Sequence, residues 1–192
     1  MPCLPDKRRR VPRSIAMAGE RHAAGNVSAL LQAVRQGSVE RVGELLAQEL
    51  PVDWQDERGC SLLFHAAFGR HFAVAERLLA QGANVDLPDR HGWTPLFWAA
   101  FNGHEDVVGF LVAHGADANA ATFEGDRPLF MAACKGYPGV VRLLLAGGAQ
   151  WDAIDPTGRD ALWAARVNGH PEVVRLLEAC AAGGDDPLPD TH

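Results

Sequence analysis

The chain has 192 residues, of which 47% are hydrophobic and 22% charged, so it is long enough for one domain or two small ones and has the composition of a packed protein. It contains no run of the roughly 18–20 consecutive apolar residues that a membrane helix needs, and we expect no membrane partner. Its cysteines are far apart and form no C-x-x-C pair, which argues against a zinc site or a disulfide framework and favours a reducing, cytoplasmic location: Cys3, Cys60, Cys134 and Cys180.

The net charge of −6 is unevenly distributed along the chain. Residues 1–26 carry six basic and two acidic side chains, whereas the rest of the chain carries 12 basic and 22 acidic ones, a net charge of −10. An acidic surface repels the phosphates of nucleic acids. We therefore expect the body of the protein not to bind nucleic acid.

Residues 1–26 are interpreted as a basic, disordered leader. The run Lys7–Arg10 precedes Ala16–Ala18 as in an export signal, but the residues between them are too few and too charged to form the apolar segment of such a signal. A nuclear-import or anion-binding patch is a second reading on charge alone. Translation from Met17 would remove the basic run, so the start site stays open.

From about residue 27 to residue 182 the chain repeats itself with a period of 33 residues. The period is visible in three series: Gly59, Gly92, Gly125 and Gly158; Leu63, Leu96, Leu129 and Leu162; and Ala66, Ala99, Ala132 and Ala165. A period of this length predicts a solenoid, in which each unit buries its core only against its neighbours.

The unit at 89–121 shows the local chemistry best. Thr94 can cap a helix whose first residue is Pro95, and Gly103 suits the left-handed residue that ends it. A second helix follows, with its apolar residues on one stripe: Val107, Val108, Leu111 and Val112. The pattern predicts two antiparallel helices followed by a hairpin.

This unit resembles the ankyrin repeat. The matching residues are Asp89, Gly92, Thr94–Leu96, Ala99–Ala100, Gly103–His104, Val107–Val108 and Gly115–Ala116. The resemblance implies an all-α repeat solenoid of helix–turn–helix units joined by short β-hairpin fingers. We place the units at about 27–55, 56–88, 89–121, 122–154 and 155–182, with Ser28 capping the first helix and residues 183–192 as a disordered acidic tail.

The chain departs from the family pattern at several positions. The histidine that follows the Thr-Pro-Leu motif in the family is aromatic in every unit, which leaves open whether the column is core or groove: Phe64, Phe97, Phe130 and Trp163. Gly69–Arg70 reverses the usual order, and the helix end there could shift by one residue. Asp160 can still cap the last unit, whereas the fourth finger departs from the pattern with Thr122 in place of the usual Asp.

Catalytic and metal sites are not expected, and no cofactor is predicted. His71, His104 and His170 share one position in the repeat and stack about one unit apart, too far to share a metal ion. The sequence places no acidic or thiol partner at ligand spacing from His65, His91 or His114. The sequence has no phosphate-binding glycine loop and no G-x-S-x-G motif. We interpret the protein as a non-enzyme.

The resemblance implies a partner surface made of the finger tips and the first helices. Aromatic side chains recur there where the repeat needs none, and aromatic residues anchor many interfaces, although Phe68 and Phe101 could instead only shield the core. The residues at these positions are Glu57, Arg58, Cys60, Phe68, Arg90, His91, Trp93, Trp98, Phe101, Asn102, Phe123, Glu124, Asp126 and Lys135.

Three functions are compared. The favoured one is a protein–protein interaction module (adaptor, inhibitor, regulatory subunit or scaffold) that is monomeric when free and binds one partner protein through the concave groove and the fingers. The alternative is a host-directed or nucleus-directed effector addressed by the Arg-rich leader. An enzyme of unrecognised type is the third, less favoured interpretation.

Overall fold

The computed structural model describes residues 13–48 and 50–182, with side chains from residue 25 onward. Ten α-helices follow one another in these residues, two for each unit, and no strand occurs among them. The helices are α1 Arg13–Gln36, α2 Val39–Leu46, α3 Leu62–Phe68, α4 Phe72–Ala80, α5 Pro95–Asn102, α6 Glu105–Ala113, α7 Pro128–Lys135, α8 Pro138–Ala146, α9 Ala161–Val167 and α10 Pro171–Ala181. The all-α repeat solenoid is confirmed.

The first helix of the third unit forms for the reasons that its sequence indicates. The Thr94 hydroxyl accepts a hydrogen bond of 3.1 Å from the N–H of Phe97, Pro95 is the first helical residue, and Gly103 ends the helix with a φ of 73°. Ser61 and Asp160 cap α3 and α9 in the same way. The cap predicted at Asp160 is confirmed.

The first unit differs from the prediction. α1 begins at Arg13 and crosses the boundary predicted at residue 26, so Ser28 lies inside the helix and the cap predicted there is wrong. Residues 1–12 of the predicted leader and the predicted tail at 183–192 lie outside the described residues. No helix in the described ranges is long and apolar enough to cross a membrane.

The left-handed residue that follows each first helix keeps the 33-residue frame. Four of these positions are glycines: Gly37, Gly103, Gly136 and Gly169. In the second unit Arg70 occupies the position with a φ of 57°, after Gly69 in a right-handed conformation. The unit's packing therefore fixes the left-handed position, and Arg70 bears the steric strain of its Cβ.

Neighbouring units are joined by a ladder of hydrogen bonds and by a continuous core. A side-chain oxygen near the end of one unit accepts from a backbone N–H 31 residues later, as Asp53 does from Asn84 and Asn119 from Gln150. Two of the histidines that precede the second helices also bridge units: Nε2 of His71 lies 3.0 Å from the carbonyl oxygen of Arg35, and Nε2 of His170 lies 3.1 Å from that of Cys134. Below them, small and branched side chains such as Leu96, Ala99 and Val108 are fully buried.

Candidate functional site

A groove of about 730 Å³ opens between the fingers of the second and third units and the first helices beneath them. Charged finger residues form its rim, and aromatic helix residues form its wall. Its lining residues are Arg35, Asp56, Glu57, Arg58, Cys60, Phe64, His65, Asp89, Arg90, His91 and Trp98.

Each finger is a tight turn organised by the side chain of its first residue. One carboxylate oxygen of Asp56 accepts from the N–H groups of Arg58 and Cys60, at 2.9 and 3.0 Å. Asp89 and Asp155 make the same pair of bonds, and the Thr122 hydroxyl makes them in the fourth unit. The fourth finger is therefore built like the others. The one isolated antiparallel bridge among the described residues joins Gln55 and Ser61, so the fingers are turns more than β-hairpins.

The second oxygen of Asp56 reaches the helix behind the finger. It lies 2.9 Å from Nε2 of His65 and 3.8 Å from the guanidinium of Arg35. Burial opposes ionisation of Asp56, but the N–H groups of Cys60 and Arg58 and the His65 ring outweigh it, so the pKa of Asp56 lies below its usual value. Burial, together with Arg35, also lowers the pKa of His65 although Asp56 opposes the shift. The contact is therefore a hydrogen bond from a neutral imidazole at pH 7.

The third unit repeats this contact with a different ring. Oδ2 of Asp89 accepts from Nε1 of Trp98 at 3.1 Å, which fixes the indole at the groove wall. Trp98 then meets Phe64 at a centroid distance of 6.1 Å, and Phe64 stacks on Phe68 at 4.5 Å. The wall is thus a preorganised aromatic surface shared by two units.

The aromatic column has both core and groove members. Phe97 is only 1% exposed, because Trp93 packs on it at 5.1 Å and Phe101 stacks at 6.5 Å. Phe64 and Phe130 are half-buried, and Trp163 is 42% exposed. The position in the repeat therefore does not decide burial; the neighbouring side chains do.

The predicted contact residues fall into three groups. Glu57, Arg58, Cys60, Arg90, His91 and Trp98 line the groove. A second group adjoins it: Trp93, Phe68 and Phe101 pack around Trp98, the Asn102 amide donates to the Trp98 carbonyl, and Lys135 lies over the Phe101 ring. The third group, Phe123, Glu124 and Asp126, belongs to the next finger and does not line the groove.

Two of the predicted contact residues differ sharply in exposure, one being buried and the other almost fully exposed. Cys60 is buried with 8% exposure, and burial and the carboxylates of Asp56 and Asp89 raise the pKa of its thiol. A protonated and buried thiol is a poor nucleophile, and it offers a partner little surface to contact. Phe123, by contrast, is 76% exposed, and its ring covers the backbone of Gly92. The binding roles of all 14 residues stay predictions.

Sequence reasoning left Phe64 open between core and groove and missed four other residues of the groove: Arg35, Asp56, His65 and Asp89. The expectation that His65 lacks an acidic partner does not hold for hydrogen bonding, because the finger turn brings Asp56, nine residues earlier in the chain, to 2.9 Å from its ring. The 33-residue period could have indicated this contact, because the pair Asp56 and His65 occupies the same repeat positions as the pair Asp89 and Trp98. Among the described residues, no group of three or more His, Cys, Asp or Glu side chains could hold a metal ion.

The comparison with protein families agrees with this architecture. The family model described as ankyrin repeats (3 copies) matches residues 30–122 and 118–186, which is most of the chain. The protein belongs to the ankyrin repeat family. Ankyrin repeats are in general protein–protein interaction modules, and the family is generally non-catalytic. No individually curated protein matches the sequence significantly.

Proposed function

We propose that this protein is a non-catalytic adaptor, inhibitor or regulatory subunit that holds one partner protein in the groove of its second and third units. The observation that carries the proposal is the juxtaposition of exposed finger-tip side chains with a fixed aromatic wall. We further propose that it acts in the cytoplasm and is monomeric until it binds.

The energetics of the wall support this function. Aromatic side chains bury a large area while freezing few rotamers, and such anchors carry most of the energy of many interfaces. Trp98 is held by Asp89, and Trp93 packs on Trp98 at 4.6 Å, so a partner would pay little to order them. Lys135 and Arg90 provide a polar rim.

The test begins with a pull-down by the intact chain and titration of the partner that it captures. Changing Trp93→Ala together with Phe101→Ala removes two anchors and should weaken that partner by about 2–4 kcal/mol. Because both rings cover Phe97, we also expect a moderate loss of stability, which a circular dichroism melt measures. Binding is therefore measured well below the melting temperature of every variant.

A matched pair on the second helices separates binding from stability. Phe72 and Phe110 lie 4.9 Å apart on α4 and α6 and are also half-buried. Changing both to Ala should cost similar stability and leave the partner's affinity unchanged. Equal loss of binding in both double variants would refute the groove. Loss of binding only on deletion of residues 1–16 would instead favour the basic leader as the functional element.

A further inference from the structure

We propose that the partner segment held in this groove is acidic: an extended peptide whose Asp or Glu carboxylates bind Arg58 and Arg90 while an apolar side chain packs on Phe64 and Trp98. This inference rests on the proposed function and adds the chemistry of the occupant. The inference follows from the hydrogen bonds of the groove: its acceptors are largely bonded within the protein, whereas the donors exposed at its finger tips are not.

The acceptors of the groove are largely used within the protein. Asp56 accepts from two backbone N–H groups and from His65, and it lies near Arg35. Asp89 accepts from two backbone N–H groups and from the Trp98 indole. Neither carboxylate has much capacity left for a donor on a partner, so the groove is poorly suited to a basic peptide.

The donors are in the opposite situation. Arg58 and Arg90 are exposed at consecutive finger tips, and neither guanidinium has a hydrogen-bond or ion-pair partner among the described residues. A guanidinium presents a planar fork of N–H donors that matches a carboxylate in a bidentate arrangement. Two adjacent forks above an apolar wall suit a chain with carboxylates on one side and an apolar residue on the other.

The spacing of the two arginines is fixed by the backbone. The N–H of Arg90 donates to the carbonyl oxygen of Arg58 at 3.3 Å, and the Gln55 amide bridges the carbonyls of Gly59 and Pro88. A Cβ on Gly59 would lie 2.7 Å from the Arg90 nitrogen, so the two fingers are in close contact there. The partner therefore meets two donors on a rigid base, which lowers the cost of ordering.

The charge of the whole chain favours a short acidic segment over a nucleic acid. Outside residues 1–26 the chain carries 22 acidic and 12 basic residues, so a long polyanion would run across an acidic surface. Charges more than about 8 Å apart are largely screened at physiological ionic strength, so a short peptide responds chiefly to Arg58 and Arg90. Glu57 is the one carboxylate of the groove without a bonded partner among the described residues, and it should oppose binding.

The test is fluorescence anisotropy with a labelled peptide of about ten residues, in which Asp and Glu flank a central Leu. Its twin carries Asn and Gln in their place, and a single-stranded DNA of about twelve nucleotides is the third probe. The protein is the full chain with Arg8→Gln, Arg9→Gln and Arg10→Gln, which lowers the net charge of residues 1–26 from +4 to +1 and so reduces the leader's contribution. We expect a dissociation constant on the order of 10–100 μM for the acidic peptide and binding at least about tenfold weaker for its twin.

The substitutions at the groove should change the affinity for the acidic peptide in opposite directions. Arg58→Ala and Arg90→Ala should each weaken the acidic peptide about tenfold, and Glu57→Gln should tighten it about twofold to fivefold. Arg77→Ala is the matched control, because Arg77 lies exposed on α4 of the same unit and causes the same change of charge. It should leave the affinity unchanged.

The outcomes separate this inference from the proposed function. Equal binding of the acidic peptide and its amide twin, or equal effects of Arg77→Ala and Arg90→Ala, would overturn the acidic occupant. The groove itself would survive that result if the captured partner still depends on Trp93 and Phe101. Tighter binding of the DNA, lost in Arg58→Ala, would replace the acidic peptide by a nucleic acid as the occupant.

Discussion

The second and third units, at 56–88 and 89–121, share one scaffold, yet the equivalent aromatic residue faces the groove in the second unit and lies in the core in the third. Phe64 and Phe97 are equivalent, but Phe64 is half-buried and Phe97 is 1% exposed. The difference comes from the residue after the finger glycine. Cys60 is too small to cover Phe64, whereas Trp93 covers Phe97 at 5.1 Å. One finger side chain thus decides whether this repeat position lies in the core or faces the groove.

The same two units also differ in whether the contact between the finger carboxylate and the helix depends on pH. Asp56 accepts from the imidazole of His65, and Asp89 accepts from the indole of Trp98. The geometry is alike, but only the imidazole can titrate. The two units also differ in backbone strain, because Arg70 occupies the left-handed position that Gly103 occupies in the next unit. Substitutions at four repeat positions test how these differences act.

The largest effect is expected at a position that both units share. Ala66 and Ala99 are fully buried where the first helices meet their neighbours, so Ala99→Glu buries a charge and overpacks the contact. We expect a loss of about 4 kcal/mol or more, and Ala66→Glu should behave alike. Urea unfolding followed by circular dichroism measures both.

Ala73→Glu is the control for these variants, since Ala73 is exposed in the first turn of α4, where a carboxylate is tolerated. Its stability should change by less than about 0.5 kcal/mol. An Ala99→Glu variant that melts like the Ala73→Glu variant would contradict the assigned packing.

The next effect separates the two units. Phe97→Ala empties a covered site and should cost about 3–5 kcal/mol, as for a core aromatic residue. Phe64→Ala removes a half-exposed ring and should cost only about 1–2 kcal/mol. Both free energies of unfolding come from the same denaturant titration, and equal losses would show that Trp93 does not shield Phe97.

A smaller effect, of opposite sign, is expected at Arg70. Arg70→Gly removes the strain of a Cβ at a φ of 57°, and it also removes an exposed ion pair with Asp106 at 3.1 Å. Arg70→Ala removes the pair and keeps the Cβ, so it is the reference. After allowance for the greater chain entropy of glycine, Arg70→Gly should be about 0.5–1 kcal/mol more stable than Arg70→Ala. Calorimetric melts that rank the two variants the other way would argue against strain at this position.

The repeat frame and its caps were readable from the sequence because they depend on local chemistry. Thr94 and Asp160 cap helices through bonds that span three residues, and Gly103 ends one through its own conformation. The groove could be predicted only in part, because several of its contacts join residues of different units. The contact of Arg35 with Asp56 spans two units, and the burial of Phe97 depends on Trp93, which no pattern of period 33 specifies. Ser28 failed as a cap for a different reason, because α1 continues upstream of it.

The smallest effect concerns pH and tests the titratable contact of the second unit. The pKa of His65 in the folded protein lies below its usual value of 6.5, so the folded protein favours the neutral ring while the unfolded chain takes up a proton. Stability should therefore fall as the pH drops from about 6.5 toward the folded pKa. The lowered pKa of Asp56 acts only below its usual value of 3.8 and does not contribute in this range. His65→Gln keeps an amide N–H that can donate to Asp56 and an amide oxygen that can accept from Arg35, but it cannot titrate, and every other group is common to both proteins. We expect the free energy of unfolding of the wild type to fall more than that of His65→Gln between about pH 7.5 and 5, measured by urea titration at several pH values. Parallel pH profiles would show that folding does not change the pKa of His65, and the contact would then be as insensitive to pH as the Trp98 contact of the neighbouring unit.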